Sequence, residues 1–125
     1  MDEAQLGRMQ FRIMQVLWDR GRANAREITD ALNEAEPVAH STVQTLLRQL
    51  EGKGAVGHEV EGRVFVFVPR LKEDKVKRTA AQDLLGRVFG GSVGNLVAHL
   101  LKDEKVSRAE LDELRTLIDR QRAQD

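Results

Sequence analysis

Residues 41–69 read STVQTLLRQLEGKGAVGHEVEGRVFVFVP, and this stretch joins a helical pattern to two β-prone runs. From Ser41 to Lys53 the apolar residues recur at steps of three and four, which predicts an amphipathic helix. Ser41 and Gln44 have the spacing of a capping box, and Gly54 suits the left-handed position that follows a helix. The buried stripe predicted for this helix consists of Val43, Leu46, Leu47 and Leu50.

The two runs that follow this helix, Ala55–Glu61 and Arg63–Val68, carry valine and phenylalanine at alternating positions. They meet at Gly62, and Pro69 closes the second run. Two alternating runs that meet at a glycine turn predict a β-hairpin.

Two further helices are predicted upstream of this stretch. The first covers Gln5–Arg20 and ends at Gly21. The second begins at Asn24, which forms a capping box with Glu27, and is stopped by Pro37. Three helices followed by a hairpin are the plan of a winged helix-turn-helix, so the sequence predicts a mainly α fold with one small hairpin.

Beyond residue 70 the sequence predicts a series of charged amphipathic helices. The first covers Lys72–Phe89 and is broken by Gly90-Gly91, and two more are capped by Ser92 and Ser107. Their apolar stripes exceed what one small domain can cover, which favours pairing with a second copy about a two-fold axis. We therefore expect a winged-helix domain over residues 1–70 and a helical dimerisation domain over residues 71–125. The predicted interface residues are Leu96, Leu100, Leu111, Leu114, Leu117 and Ile118.

Composition restricts the classes of function. The 125 residues include no cysteine, which excludes a disulfide framework, a thiolate metal site and a cysteine nucleophile. No apolar run is long enough to span a bilayer, so we expect a cytoplasmic protein without membrane insertion. His40, His58 and His99 lie on separate predicted elements without metal-ligand spacing. We expect no cofactor, no metal and no catalytic residue.

The outer face of the helix that begins at Ser41 carries candidate DNA-binding residues. A step of 100° per residue places Ser41, Thr45 and Arg48 opposite the apolar stripe, with Gln44 on one flank and Thr42 and Gln49 on the other. Hydroxyls, an amide and a guanidinium match base edges and phosphates in a major groove. Arg63, at the hairpin tip, is placed to contact the DNA backbone or the minor groove.

The overall charge argues against a nucleic-acid partner. Twenty basic and 20 acidic residues give a net charge of zero, whereas nucleic-acid binders often carry excess positive charge. Positive charge would have to be concentrated locally, and Arg22 and Arg26 could flank a phosphate. The neighbouring carboxylates of Glu59 and Glu61 argue against a DNA contact by Arg63. The alternative is a winged-helix protein-interaction module that does not bind DNA.

Five stretches resemble the penicillinase-repressor (BlaI/MecI/CopY-like) family of winged-helix transcriptional regulators. LGRMQFRIMQVLWDRG (6–21) is similar to the opening helix, with its Ile-Met-x-x-Leu-Trp element. STVQTLLRQLEGKG (41–54) is similar to the recognition helix and EGRVFVFVP (61–69) to the wing. GGSVGNLVAHLL (90–101) and SRAELDELRTLID (107–119) resemble the C-terminal dimerisation helices.

The resemblance implies a homodimeric repressor of a palindromic operator, whose recognition-helix contacts fall on His40, Ser41, Thr42, Gln44, Thr45 and Arg48. It also implies control of β-lactam resistance or stress-linked genes, and a membrane-bound sensor peptidase as upstream regulator. Copper-responsive members use a C-terminal cysteine motif that this chain lacks. Penicillinase repressors are cleaved at an Asn–Phe bond in the second C-terminal helix, where this chain has His99-Leu100.

Overall fold

The computed structural model of the protein describes residues 4–125. Within them the chain forms six α-helices and three β-strands. In chain order these are α1 (Arg8–Arg20), β1 (Ala23–Asn24), α2 (Ala25–Asn33), α3 (His40–Gly52), β2 (Val56–Glu61), β3 (Val64–Pro69), α4 (Glu73–Phe89), α5 (Val93–Asp103) and α6 (Arg108–Ala123). The predicted mainly α fold with a winged helix-turn-helix is confirmed.

The sheet is antiparallel, with the strand order β1-β3-β2. Strands β2 and β3 form the predicted hairpin, in register from Val56 opposite Pro69 to Glu61 opposite Val64. Gly62 lies in the turn at φ +64°, a left-handed conformation that glycine adopts without steric cost. The sequence did not predict β1, whose two residues pair with Phe67 and Val66 and so connect the start of α2 to the wing.

The core of the winged-helix part lies between the first three helices and the sheet. Each helix buries one face, and the largest side chains with no significant exposure are Ile13, Met14, Leu17, Ile28, Val43, Leu47, Leu50 and Val56. Full burial of one such side chain stabilises the fold by about 1.5–3 kcal/mol. Trp18 packs edge-on against Phe11 and donates a 2.9 Å hydrogen bond from Nε1 to the carbonyl oxygen of Leu71. This bond holds the segment that follows β3 against α1.

Helices α1 and α2 are shorter than the sequence predicts. Helix α1 begins at Arg8 because the amide of Gly7 donates to Oε1 of Gln10 at 3.1 Å and so caps the helix three residues after the expected start. Helix α2 has the predicted Asn24–Glu27 capping box, but it ends at Asn33, before Pro37. The Asn33 amide group donates to the carbonyl oxygens of Thr29 and Val38, and its oxygen accepts from the Val38 amide. These bonds hold the turn into α3, and α2 has already ended before the chain reaches Pro37.

Helix α3 begins one residue earlier than predicted. Ala39 is its N-cap and makes no side-chain cap, so the capping box predicted for Ser41 and Gln44 is wrong. His40, the first helical residue, is held instead by α2, since its Nδ1 lies 3.0 Å from Oγ1 of Thr29. Gly54, at φ +80°, follows the helix in the left-handed conformation that the sequence predicts.

Two compact units divide the chain, residues 1–82 and residues 83–125. In the second unit, Ser92 and Ser107 accept hydrogen bonds from the Asn95 and Glu110 amides and cap α5 and α6 as predicted. Neither helix buries a side chain. The division falls inside α4, and the functional boundary expected at residue 70 stays a prediction.

No single helix among the described residues is long and apolar enough to cross a membrane; α4 and α5 meet that requirement only as a pair, bent by 89°.

Candidate nucleic-acid interface

The outer face of α3 is open to solvent as the sequence predicts. Val43, Leu47 and Leu50 are buried, and this orientation leaves the opposite side of the helix exposed. The exposed residues on that side are Ser41, Thr42, Gln44, Thr45 and Arg48. The packing of the first three helices therefore presents every one of these candidate contacts outward.

Thr45 connects two of the other polar groups on this face. Its Oγ1 donates to the carbonyl oxygen of Ser41 at 3.1 Å, and Nη2 of Arg48 donates to the same Oγ1 at 3.5 Å. The long contact holds the guanidinium loosely beside the helix, and most of its N–H donors stay available to a ligand. Gln49, by contrast, accepts from Nε2 of Gln10 and is turned toward α1.

His40 is half-buried at the start of α3, and its hydrogen bonds fix its tautomer. The Thr29 hydroxyl has one proton, which it donates to the carbonyl oxygen of Ala25 at 2.8 Å. It must therefore accept from His40, so the proton of the neutral imidazole lies on Nδ1. Nε2 of the neutral ring is then an acceptor, which suits a base amino group rather than a phosphate.

The wing and the starts of α2 and α3 enclose a groove of about 600 Å³ beside this face. Arg26, Arg48 and Arg63 line it together with His40 and Gln44. No carboxylate is among the described residues of the lining. A chain with a net charge of zero thus collects three guanidinium groups, from α2, α3 and the hairpin turn, in one concave surface.

Arg22 does not join these arginines. It forms ion pairs with Glu61 and, at 3.8 Å, with Glu59. Arg22 is thus paired with carboxylates outside the groove, and its role beside a phosphate stays a prediction. The same pairs weaken the objection to Arg63, because Arg22 balances one of the two carboxylate charges and neither carboxylate lines the groove.

His58 has a structural role that the sequence analysis missed. Its Nδ1 contacts Oε2 of Glu51 in the last turn of α3, and its ring stacks on Phe65 with centroids 4.1 Å apart and planes 11° apart. The contact links α3 to the wing and sets the groove between them. The alternation of Val56, His58 and Val60 places His58 on one strand face, but Glu51 is brought to it only by the fold.

The predicted dimerisation residues all lie in the second unit. Leu96 and Leu114 are half-buried within it. The others, Leu100, Leu111, Leu117 and Ile118, are exposed. His99 and Leu100, the pair at the expected cleavage position, both lie inside α5 and are exposed.

A profile of the penicillinase repressor family matches residues 6–120 of the chain. The chain belongs to the penicillinase repressor family. The family is one of transcriptional repressors, which are not enzymes. The penicillinase repressor of Bacillus licheniformis is 29% identical to this chain over 115 residues, which are 92% of this chain and 90% of the relative. The penicillinase repressor of Staphylococcus aureus is 23% identical over 116 residues, 93% of this chain and 92% of the relative.

A solved structure of a DNA-binding domain also supports the fold of the winged-helix part. The solution structure of the DNA binding domain of the repressor BlaI matches this penicillinase repressor family member with a TM-score of 0.52 and 34% sequence identity. The match covers 56% of this chain and 85% of that domain. The winged helix-turn-helix fold thus has support from both geometry and relatives.

Proposed function

We propose that this penicillinase repressor family member is a homodimeric, sequence-specific DNA-binding repressor that recognises a palindromic operator. The observation that carries the proposal is the arginine-lined groove beside the polar face of α3. The helix in this position of a winged helix-turn-helix enters the major groove of DNA. Arginines beside such a helix bind the phosphates of the DNA backbone.

The residues have separate roles in this proposal. Arg48 reads a guanine edge with two N–H donors, and Gln44 reads an adenine edge. Arg26 and Arg63 neutralise phosphates on the two sides of the groove, and so position the protein without reading the sequence. Ser41, Thr42 and Thr45 supply short hydroxyl contacts, and His40 accepts a hydrogen bond through Nε2.

Dimerisation is proposed from the surface of the second unit. Helices α5 and α6 bury no side chain within the protomer, although Leu100, Leu111, Leu117 and Ile118 form apolar stripes along them. Pairing of these stripes with a second copy removes them from water. A two-fold dimer presents two copies of α3 in opposite directions, which requires an inverted repeat in the operator.

The regulated genes and the inducing signal are inferred from the family resemblance. We infer control of β-lactam resistance or stress genes, with a membrane sensor peptidase as upstream regulator. An Asn–Phe cleavage specificity does not fit His99-Leu100, and the chain has no cysteine with which to bind copper as a thiolate. Induction in this protein therefore depends on a different cleavage specificity or on another signal.

The test is DNA binding by the full chain as a function of salt, first on random duplex DNA and then on the inverted repeat nearest its gene. Wild-type affinity should fall steeply as salt rises, because phosphate neutralisation releases counterions. Arg48→Ala should cost roughly 1–3 kcal/mol on the operator and relax preference at one position in each half-site. Arg63→Ala should weaken all sequences about equally and make the salt slope shallower.

Arg20→Ala is the matched control, since Arg20 is an exposed arginine of the same unit that does not line the groove. Its binding should equal that of the wild type. Equal and uniform losses for Arg48→Ala and Arg63→Ala would contradict the division of roles. Absence of wild-type binding at any salt would favour the protein-interaction module, whose docking surface would include the exposed side chains of Val60 and Phe65.

A further inference from the structure

Phe65 on β3 is placed unusually for a large apolar residue of the wing. It is 50% exposed, although Phe67, two residues further along the same strand face, is buried. One face of the Phe65 ring is covered by His58, which lies parallel to it at 4.1 Å. The ring also lines the groove that contains Arg48 and Arg63. The stacked His58 ring therefore holds the exposed surface of Phe65 toward the groove.

The groove combines two kinds of surface. Arg26, Arg48 and Arg63 line it, and its apolar lining comes from Ala25, Leu47, Val64 and the two wing phenylalanines. A protein that binds only phosphate oxygens needs no exposed aromatic ring in that place. A ligand in which anionic groups alternate with apolar groups matches both kinds of surface.

The sugar–phosphate backbone of DNA has that alternation. Phosphates are separated by deoxyribose rings, whose C–H faces are apolar. In a duplex, one backbone strand separates the major groove from the minor groove. A protein with α3 in the major groove and its wing over the minor groove therefore straddles such a strand, and the cleft between α3 and the wing is the space that the strand must occupy.

We propose that this groove binds the backbone of one DNA strand, with Phe65 packed against a deoxyribose between phosphates held by the arginines. The proposal rests on the proposed DNA-binding function and adds to it an uncharged contact that no base sequence specifies. His58, held by Glu51, is the positioning residue that keeps the ring turned toward the strand.

The test compares Phe65→Ala, Phe65→Leu and Val60→Ala in the full chain, each titrated with a short random-sequence duplex over a range of salt. Covering half of a phenyl side chain contributes enough for about a tenfold change in affinity per protomer. Phe65→Ala should therefore weaken binding about tenfold for each protomer on the duplex at every salt concentration, and Phe65→Leu should weaken it less. The salt slope should equal that of the wild type, because the ring releases no counterion, whereas loss of one phosphate contact in Arg63→Ala should reduce the slope by about 0.9 for each bound protomer.

Val60→Ala is the matched control. Val60 is 60% exposed, lies opposite Phe65 in the hairpin register and does not line the groove. This variant should bind as the wild type does. Thermal unfolding of all three variants checks that the hairpin is retained.

Three results would overturn the inference while leaving DNA binding in place. Wild-type affinity in Phe65→Ala would mean that no strand touches the ring. A lower salt slope, as in Arg63→Ala, would mean that Phe65 only holds the wing. Tighter binding of single-stranded oligothymidylate than of the duplex, lost in Phe65→Ala, would assign the ring to base stacking. Failure of the wild type to bind any duplex would instead reject the proposed function itself.

Discussion

Replacement of Leu117 by aspartate is expected to separate the two protomers. Leu117 lies on α6 with 52% of its surface exposed, next to Ile118 with 56% exposed. Leu114, one turn earlier, is half-buried within its own protomer, so a charge there would also disturb the unit itself. Leu117 therefore reports on the proposed interface with less effect on the protomer than Leu114.

The size of the effect follows from what the dimer would bury. Covering half of a leucine side chain contributes about 1 kcal/mol per protomer. An aspartate in its place loses that contribution and brings an unpaired carboxylate into an apolar contact, which costs several kcal/mol more unless water reaches it. The two-fold axis repeats the change, so the total is at least about 4 kcal/mol. A change of that size raises the dissociation constant of the dimer about a thousandfold.

The assay is sedimentation equilibrium over a range of protein concentrations, with circular dichroism to confirm that the helices are retained. The control is Thr116→Asp, which places the same charge on the opposite face of α6, one residue away. We expect a dimeric wild type, a dimeric control and a Leu117→Asp variant that is monomeric at micromolar concentration and binds the operator far more weakly, because linkage of two half-sites is lost. A Leu117→Asp variant that still dimerises, or that binds the operator normally as a monomer, would refute the assignment of α6 to the interface.

Three further outcomes are expected. Asn33→Ala should lower the free energy of unfolding by about 1–2 kcal/mol, because it loses the three hydrogen bonds that end α2. Glu34→Ala, at an exposed neighbouring position, should leave the free energy of unfolding unchanged. Chemical denaturation measures both variants. The hydrogen bond and charge of Arg8 lower the pKa of Glu36, so its ionised form stabilises the fold above the ordinary pKa of glutamate, and this contribution is lost as pH falls through the lowered value. The melting temperature of Glu36→Gln should accordingly lie slightly below that of the wild type at neutral pH and coincide with it in strong acid; a gap that persists in acid would contradict the ion-pair explanation. A peptidase specific for Asn–Phe bonds should leave the chain whole, and mass spectrometry that finds a fragment ending at His99 would contradict this.

The sequence was most informative where structure depends on neighbours along the chain. The capping box of Asn24 and Glu27, the end of α1 at Gly21 and the hairpin turn at Gly62 all follow from local hydrogen bonding and backbone conformation. The outer face of α3 could be predicted for the same reason, since the spacing of its apolar stripe determines which residues face away from it.

The errors and omissions arise where a distant residue decides the outcome. The start of α3 is stabilised by Thr29 of α2 rather than by its own Ser41, and β1 forms only because β3 lies beside it. The groove brings Arg26 and Arg63 together from segments 37 positions apart in the sequence numbering, and no spacing rule predicts that meeting. Arg22 looked equivalent to Arg26, and only the fold distinguishes them, because it places Glu59 and Glu61 beside Arg22 alone.

The pairing of Arg22 with Glu59 and Glu61 has a consequence for how the protein is distributed in a cell. Chromosomal DNA offers about 10⁶–10⁹ competing non-specific sites. The affinity of a protein for such a site rises with the number of phosphates that the protein neutralises. On the proposed DNA-binding function, a cation already matched by carboxylates displaces few counterions, so Arg22 adds little to the retention of the protein on bulk DNA. The paired arginine therefore leaves more of the protein available to an operator than an unpaired arginine at that position would.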